Sequence, residues 1–183
     1  MTILAELCSA DSRRRLSLRD FQMEIGVSGH RRFGDPADLV WAELRLLEVL
    51  KDYSELYGLT SLAKGADQIF ACVVLELGGK LQAVLPFAGY GESFEDAGEA
   101  DGFRELIGKC SEVTTLEFAG SKDQSYLAAG RYVADHSDLL IAVWDGKPAA
   151  GVGGTGDVVS YARGAGKRVY QINPAARTVG DVE

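Results

Sequence analysis

The sequence of 183 residues has only three cysteines, four prolines and few basic side chains. Cys8, Cys72 and Cys110 are odd in number and far apart, so they favour neither a disulfide framework nor a zinc site. We expect Cys72, which lies in an apolar helical pattern, to be a small core residue. The four prolines stand against 22 glycines, and this ratio indicates many tight turns rather than disorder.

Long apolar runs are also missing from the sequence. No stretch is long and apolar enough to span a bilayer. The first ten residues contain Glu6 and none of the basic residues that begin a signal peptide. The sequence therefore predicts a cytoplasmic protein without a membrane partner.

Basic residues are outnumbered by acidic ones. There are 19 Lys and Arg residues against 27 Asp and Glu residues, which gives a formal net charge of −8. Because affinity for nucleic-acid backbones comes mostly from Lys and Arg, a nucleic acid is not an expected partner. A small phosphorylated ligand needs only one local pocket, so that class of partner stays open.

The sequence does contain short apolar segments that alternate with amphipathic ones. The apolar segments predict strands at residues 23–27, 59–62, 81–85, 113–118, 139–143 and 168–172. The first helix is predicted to begin at Asp35-Pro36, and further helices are predicted at residues 66–77, 101–110, 124–136 and 155–165. This order predicts an α/β fold, a Rossmann-like three-layer sandwich with a mostly parallel central sheet.

The predicted Rossmann-like domain covers residues 21–176. An N-terminal extension over residues 1–20 precedes it, and a C-terminal tail over residues 177–183 follows it. Helical spacing predicts one apolar face on each of the first two helices. These faces comprise Val40, Leu44, Leu47 and Leu50 in the first helix, and Ile69, Phe70, Val73, Val74 and Leu77 in the second.

Ligands bind such sheets beyond the carboxyl ends of the strands, so the loops after the strands carry the functional information. The first loop, Gly26-Val27-Ser28-Gly29-His30-Arg31, lacks the G-x-G-x-x-G pattern of dinucleotide-binding folds. Arg31 is suited to pair with a phosphate, and His30 to hydrogen-bond a phosphate or to act in acid–base chemistry. Ser28 and Gly29 complete this candidate set. The alternative is a solvated polar loop.

The second loop, Ser61-Leu62-Ala63-Lys64-Gly65-Ala66-Asp67, also joins a strand to a helix. Gly65 permits a close turn, and Asp67 falls in the first helical turn. Asp67 either contributes to a ligand site or only complements the helix dipole. Both residues are candidate ligand-binding residues.

The third loop is the most informative one. Four of the six residues from 151 to 156 are glycine, so backbone N–H groups can approach an anion without obstruction by Cβ atoms. Gly153, Gly154 and Thr155 are therefore candidate phosphate ligands, with a flexible surface loop as the alternative. Asp145, directly after the preceding strand, either accepts hydrogen bonds from ribose hydroxyls or caps the turn.

Together the motifs resemble the SLOG superfamily, which joins the DprA and LOG proteins. The matching segments are the first two loops and Ser137-Asp138-Leu139-Leu140-Ile141-Ala142-Val143-Trp144-Asp145-Gly146 with Gly153-Gly154-Thr155, and they lie within residues 23–174. The resemblance implies a Rossmann-like fold that binds nucleotides or nucleotide-derived ligands, with the Gly-Gly-Thr turn on phosphate. Relatives commonly pair through helices, so a homodimer fits this resemblance.

Three functions occur among the relatives that this resemblance points to: nucleotide sensing, hydrolysis of nucleoside 5′-monophosphates and DNA binding by DprA proteins. The hydrolases carry P-G-G-x-G-T-x-E-E and an arginine in the preceding helix. Here Asp157 stands at the first glutamate, Val158 at the second and Ala150 at the proline, while Arg131 lies in the expected helix.

We therefore predict a sensor or binding module for a small phosphorylated nucleotide, with no cofactor and no metal. The alternative is an N-glycoside hydrolase in which Asp157 and Arg131 are catalytic. DprA-like binding of single-stranded DNA is a third, disfavoured reading because the chain is acidic. Tyr90 and Phe94, in an acidic loop, either stack on the base, pack in the core or are simply exposed in that loop.

Overall fold

The computed structural model of the chain describes residues 22–94, 97–117, 119–149 and 151–182. The strands are β1 (Met23–Gly29), β2 (Leu56–Thr60), β3 (Lys80–Leu85), β4 (Glu112–Thr115), β5 (Leu139–Val143), β6 (Arg168–Asn173) and β7 (Thr178–Asp181). The helices are α1 (Pro36–Leu50), α2 (Ala66–Glu76), α3 (Ala97–Ile107), α4 (Lys122–Asp135) and α5 (Thr155–Gly164). The predicted extension with Cys8, the strand end at Phe118, and Ala150 lie outside the described residues.

The strands form one sheet in the order β4-β3-β2-β1-β5-β6-β7. Neighbouring strands are parallel except β7, which runs antiparallel to β6. The predicted α/β, Rossmann-like fold with a mostly parallel sheet is confirmed. The strand order reverses between β1 and β5, and the carboxyl ends of these two strands form the crevice in which such sheets bind ligands.

Helices cover both faces of the sheet, and the side chains of β5 pack against the helices on both faces. Successive side chains of a strand point to opposite faces. Leu139, Ile141 and Val143 accordingly join the core under α1, α2 and α3. Leu140 and Ala142 join the core under α4 and α5. A strand buried on both faces is a continuous apolar run, which is why its bounds could be predicted from sequence.

The N-terminus of α1 follows the predicted signal. Asp35 precedes Pro36, and its side chain accepts a hydrogen bond from the backbone N–H of Ala37 at 2.8 Å. The predicted inward face of α1 is wrong at two positions, because Val40 and Leu44 are 56% and 49% exposed. Ala42, Leu46 and Leu50 are buried instead. Apolar residues lie on more than one side of this helix, so spacing alone could not identify the buried side.

Two further predictions on α2 are wrong. Cys72 is exposed, because its neighbours Ala71 and Val73 turn toward the sheet and leave it on the outer side. Leu77, one residue beyond the helix, is 36% exposed. In the described ranges, no helix combines the length and the apolar character that crossing a bilayer requires.

Candidate functional site

A cavity of about 590 Å³ opens at the carboxyl ends of β1 and β5. Its size is typical of a small-molecule site. Segments from all three predicted loops line it, together with the first turns of α4. The predicted ligand-binding residues in this lining are Ser28, Gly29, His30, Arg31, Asp67, Asp145, Gly153, Gly154 and Thr155. Gly65, Asp157 and Arg131 are not among the lining residues.

The glycine-rich turn delivers the N-terminus of α5 to this cavity. Gly154 is the N-cap of α5 and makes no side-chain hydrogen bond to the helix. Among the described residues, no acceptor takes the backbone N–H groups of Thr155 and Gly156. Uncapped N–H groups and the positive end of the helix dipole make such a terminus a site for an anion.

Close packing explains why the turn is built from glycine. Gly153 has a φ of +86°, and a Cβ there would lie 2.7 Å from the backbone oxygen of Asp123 in α4. A Cβ on Gly156 would lie 2.7 Å from the backbone nitrogen of Ala149. The turn is thus held between α4 and the segment after β5, and its path is fixed by packing.

The N-terminus of α4 also borders the cavity, but it is capped by its own side chains. Ser121 Oγ accepts from the Gln124 backbone N–H at 3.3 Å, and Gln124 Oε1 accepts from the Ser121 backbone N–H at 2.9 Å. This reciprocal pair is a capping box. At α5 the corresponding groups are satisfied by backbone, since the Gly154 N–H donates to the Gly151 oxygen at 3.3 Å and the Asp157 N–H to the Gly154 oxygen at 3.0 Å. The two termini differ in position, because the whole start of α5, from Gly153 to Gly156, lines the cavity, whereas Ser121 and Lys122 of α4 do not.

At the cavity wall, a residue that follows β1 and two residues that follow β5 form a cluster of polar and charged side chains. His30 Nε2 lies 3.1 Å from Asp145 Oδ1 and 3.3 Å from the Asp145 backbone nitrogen. Lys147 Nζ lies 2.9 Å from Asp145 Oδ2. The Lys147 side chain, with smaller contributions from the Lys147 backbone N–H and from His30, lowers the pKa of Asp145 to about 2. Asp145 is therefore an ionised acceptor whose charge is already compensated.

Asp67 organises the second loop from inside the protein. Its Oδ2 accepts hydrogen bonds from Thr60 Oγ1 and from the Ser61 backbone N–H, both at 3.1 Å. Thr60 Oγ1 in turn accepts from the Leu62 backbone N–H at 3.0 Å. Burial raises the pKa of Asp67 to about 6 against the opposing effect of these hydrogen bonds. Asp67 holds the loop together as well as lining the cavity.

Gly65 has a supporting position behind the cavity. Its φ is +86°, and a Cβ there would lie 2.5 Å from the backbone oxygen of His30. The Ala66 backbone N–H donates to that same oxygen at 3.1 Å. Gly65 therefore lets the β2–α2 junction lie directly against the first loop, which fixes His30 and Arg31 at the opening.

Arg31 extends from the cavity opening toward α3. Its guanidinium Nη2 lies 3.6 Å from Glu99 Oε2, and Lys64 Nζ lies 2.9 Å from the other oxygen, Glu99 Oε1. Glu99 is 8% exposed, whereas the Arg31 side chain is 57% exposed. The buried carboxylate orients Arg31 while leaving most of the guanidinium open to solvent and to a ligand.

Asp157 and Arg131 are turned away from this cavity. Asp157 Oδ2 accepts from the Gly153 backbone N–H at 3.0 Å, which closes the glycine-rich turn on itself. The Arg131 guanidinium stacks 4.8 Å from the ring centre of Tyr161, over a separate hollow between α4 and α5. The structure thus brings neither proposed catalytic side chain to the lining.

Tyr90 and Phe94 belong to an aromatic cluster beside the cavity. Tyr90 is 4% exposed, and its ring centre lies 5.1 Å from that of Phe94 and 6.2 Å from that of Tyr126. Tyr90 and Tyr126 both line the cavity, whereas Phe94 does not. Tyr90 therefore packs in the core, which is one of the alternatives that the sequence left open.

Sequence reasoning assigned no ligand-binding role to four charged or aromatic side chains that line the cavity: Asp123, Tyr126, Trp144 and Lys147. Two lie in α4, whose first turn follows β4 at the far edge of the sheet and returns across it. Trp144 Nε1 donates to the Lys147 backbone oxygen at 2.8 Å, so these two residues form one turn after β5. Because Trp144 and Lys147 directly follow a buried strand, the sequence did contain a signal that these two residues lie near the site. In the described part of the chain, no group of three or more His, Cys, Asp or Glu side chains is arranged to hold a metal ion.

No family model and no curated protein matches this sequence. Solved structures do match it in fold. DNA processing protein A (DprA) from Streptococcus pneumoniae has a TM-score of 0.62 at 20% identity, over 83% of this chain and 50% of that one. DprA from Helicobacter pylori, a single-stranded DNA-binding protein, has a TM-score of 0.61 at 18% identity, over 84% of this chain and 66% of that one.

The molybdenum cofactor binding protein from Rippkaea orientalis has the same fold. Its TM-score is 0.54 at 19% identity, over 85% of this chain and 77% of that one. These likenesses, at 18–20% identity, show that the chain has the fold of DprA proteins, which is the fold that the resemblance of the three motifs implied. The chain spans 50% of the length of the first DprA protein and 66% of the second.

Proposed function

We propose that this protein binds a small nucleotide or nucleotide-derived ligand in the cavity at the ends of β1 and β5, as a sensor or binding module. The phosphate of the ligand lies at the N-terminus of α5. The uncapped first turn of that helix, open to the cavity at Thr155, carries this proposal. It supplies the N–H groups of Thr155 and Gly156 and a positive dipole end, and both residues line the cavity.

The rest of the lining matches the other parts of a nucleotide. Carboxylates of Asp123 and Asp145 are suited to accept hydrogen bonds from sugar hydroxyls. The rings of Tyr126 and Trp144 offer faces for a base, since every base has a π-face that stacks on an aromatic side chain. All four line the same cavity as Thr155.

Binding is better supported than glycosidic hydrolysis. A hydrolase needs a carboxylate within reach of the reacting sugar carbon or of its attacking water. Asp157 is committed to the Gly153 backbone N–H, and Arg131 stacks on Tyr161. Neither is placed to act on a ligand in this cavity.

The proteins that share this fold support a ligand-binding role without choosing the ligand. The Helicobacter pylori protein binds single-stranded DNA, and the Rippkaea orientalis protein binds molybdenum cofactor. Function resides in the site rather than in the fold, so the lining residues must decide. Here they favour a small phosphorylated ligand.

Calorimetry and thermal unfolding of the full chain with AMP, GMP, adenosine and inorganic phosphate test the proposal. A ligand that binds only the folded state raises the melting temperature. We expect AMP or GMP to do so and adenosine to bind at least about tenfold more weakly, because it lacks the charged group that α5 receives.

Matched substitutions locate the effect. Thr155→Val keeps the side-chain shape and removes the hydroxyl, so we expect the affinity for the nucleotide to fall about tenfold. Thr178→Val makes the same change on exposed β7, away from the cavity, and should leave the affinity unchanged. Absence of stabilisation by every nucleotide tested would contradict the proposal.

The hydrolase alternative has its own readout. Incubation with AMP followed by chromatography of released adenine is expected to show no turnover. Turnover that Asp157→Asn abolishes would establish the hydrolase and replace the binding-module reading.

A further inference from the structure

A second hollow, of about 660 Å³, adjoins the cavity. The two share His30, Arg31, Tyr90 and Tyr126 in their walls. The second hollow adds five residues of its own: Arg32, Ser93, Phe94, Glu99 and Lys122. A ligand that fills the first cavity can therefore continue past His30 and Arg31 into the second.

The second hollow is a local exception in an acidic chain. Arg31, Arg32 and Lys122 line it, although the chain as a whole carries a net charge of −8. Among the described residues of its wall, Glu99 is the one carboxylate; it is 8% exposed and is bound by Lys64 at 2.9 Å as well as by Arg31. The described residues of the wall thus give it an excess of positive charge, which suits a phosphate.

Helix stability does not account for Lys122. It is the first residue of α4, where the positive end of the helix dipole disfavours a cation. Its Nζ lies 6.0 Å from the ring centre of Phe87, at the edge of the aromatic cluster. Lys122 thus lies beside the opening, at a helix terminus that disfavours its charge. An anion bound in the hollow would explain this position.

Aromatic rings stand beside these cations. Phe94 and Tyr126 are half-buried, and both pack on the buried ring of Tyr90, which fixes their positions at the rim. Cations that meet a phosphate and rings that stack on a base are the combination that proteins use for each unit of a nucleotide chain.

We propose that the ligand is a dinucleotide, two nucleosides joined through phosphate, and that the second hollow takes its second unit. This inference rests on the proposed function and specifies its ligand class. The first unit occupies the cavity with its phosphate at α5. The linking phosphate passes Arg31, and the second unit meets Arg32, Lys122 and the ring of Phe94, while Tyr126 and Trp144 remain with the first unit.

Calorimetry with the full chain compares AMP, NAD⁺ and the dinucleotide pApA, which separate a 5′–5′ pyrophosphate linkage from a 3′–5′ phosphodiester. One of the two dinucleotides should bind at least about tenfold more tightly than AMP, since its second unit adds charged and stacking contacts. The double variant Arg32→Ala/Lys122→Ala should reduce its affinity to that of AMP and leave AMP binding within about twofold.

Lys80→Ala is the matched control, because this exposed lysine begins β3 at the opposite end of the sheet. It should change neither affinity, and all variants should keep the melting temperature of the unsubstituted protein. If AMP binds and neither dinucleotide binds more tightly, the dinucleotide inference is wrong while the proposed function stands. If AMP binding itself depends on Arg32 and Lys122, the assignment of two subsites is wrong.

Two other outcomes also decide the question. Failure of AMP and both dinucleotides to bind would overturn the proposed function together with this inference. An affinity that continues to rise from pApA to a twelve-residue oligodeoxynucleotide would overturn the dinucleotide in favour of single-stranded DNA.

Discussion

Two strand-to-helix junctions in this protein look alike in sequence and differ in use. The β2–α2 junction and the β5–α5 junction each place glycine before a helix and an aspartate in its first turn. At α2, the first N–H donates to the backbone oxygen of His30, and Asp67 holds the preceding loop. At α5, the first N–H group is that of Thr155, which has no acceptor among the described residues and belongs to a residue that lines the cavity.

This difference shows what a glycine-rich junction needs before it can bind an anion. Glycine gives access, but the donors serve a ligand only if the protein has not already satisfied them. The β2–α2 junction is a structural support for the first loop, and the β5–α5 junction is the candidate phosphate site. The two should therefore respond to substitution in different assays.

The largest expected effect is a loss of stability at the β2–α2 junction, which supports the first loop. Gly65→Ala should lower the free energy of unfolding by about 4 kcal/mol, through a positive φ that alanine disfavours and a Cβ directed at the His30 backbone oxygen. Gly34→Ala is the control, because a Cβ there meets nothing within 4 Å. Denaturant unfolding of both variants checks this. Equal losses would show that the junction is not a packed support.

The next effect concerns the pH dependence of stability. The pKa of Asp67 is raised to about 6 in the folded protein, from 3.8. Between these values the folded state binds more protons than the unfolded state, so the free energy of unfolding falls as pH rises from about 4 to about 6. The total fall should be about 3 kcal/mol, at 1.36 kcal/mol for each pKa unit.

Asp67→Asn removes this titration and retains an oxygen that can accept from Thr60. Its free energy of unfolding, measured by denaturant at pH 4, 5, 6 and 7, should lack the fall that the unsubstituted protein shows in that window. Parallel pH profiles for the two proteins would mean that Asp67 is not the responsible group.

The smallest expected change in free energy is in ligand binding, and it comes from a substitution at the phosphate site alone. Thr155→Glu places a carboxylate where the ligand's phosphate is expected, so AMP binding should weaken about 100-fold, or about 2.7 kcal/mol. The melting temperature should hold or rise, because an acidic side chain in the first helical turn favours the dipole. Thr155→Gln, without the charge, should weaken binding less. A loss of stability without a loss of affinity would reverse the assigned roles of the two junctions.

The sequence predicted most of the fold because its buried elements carry strong patterns. β5 is apolar throughout and ends in a glycine-rich turn, so its bounds could be placed from sequence alone. β7 was not predicted, since Thr178–Asp181 holds one apolar side chain and exists as a strand through pairing with β6. It occupies part of the segment expected to be a tail.

The candidate site was predictable only where loops follow strands. Ser28, Asp145 and Thr155 come together because parallel strands end at one edge. Tyr126 was missed, because its position depends on α4 crossing back over the sheet, and short-range periodicity does not encode that path. Asp157 shows the opposite error, because a residue was predicted in the site that does not line it. Motif alignment placed Asp157 at a catalytic glutamate, but its carboxylate accepts a hydrogen bond from the Gly153 backbone N–H of the same turn.

Amide spectra of ¹⁵N-labelled protein titrated with AMP, and separately with adenosine, test the central claim most directly. We predict that the N–H signals of Thr155 and Gly156 shift with AMP and stay in place with adenosine, because the phosphate alone contacts the first turn of α5. Equal shifts with both ligands, or shifts with AMP only at residues of the β2–α2 junction, would contradict the assignment of α5 as the phosphate site.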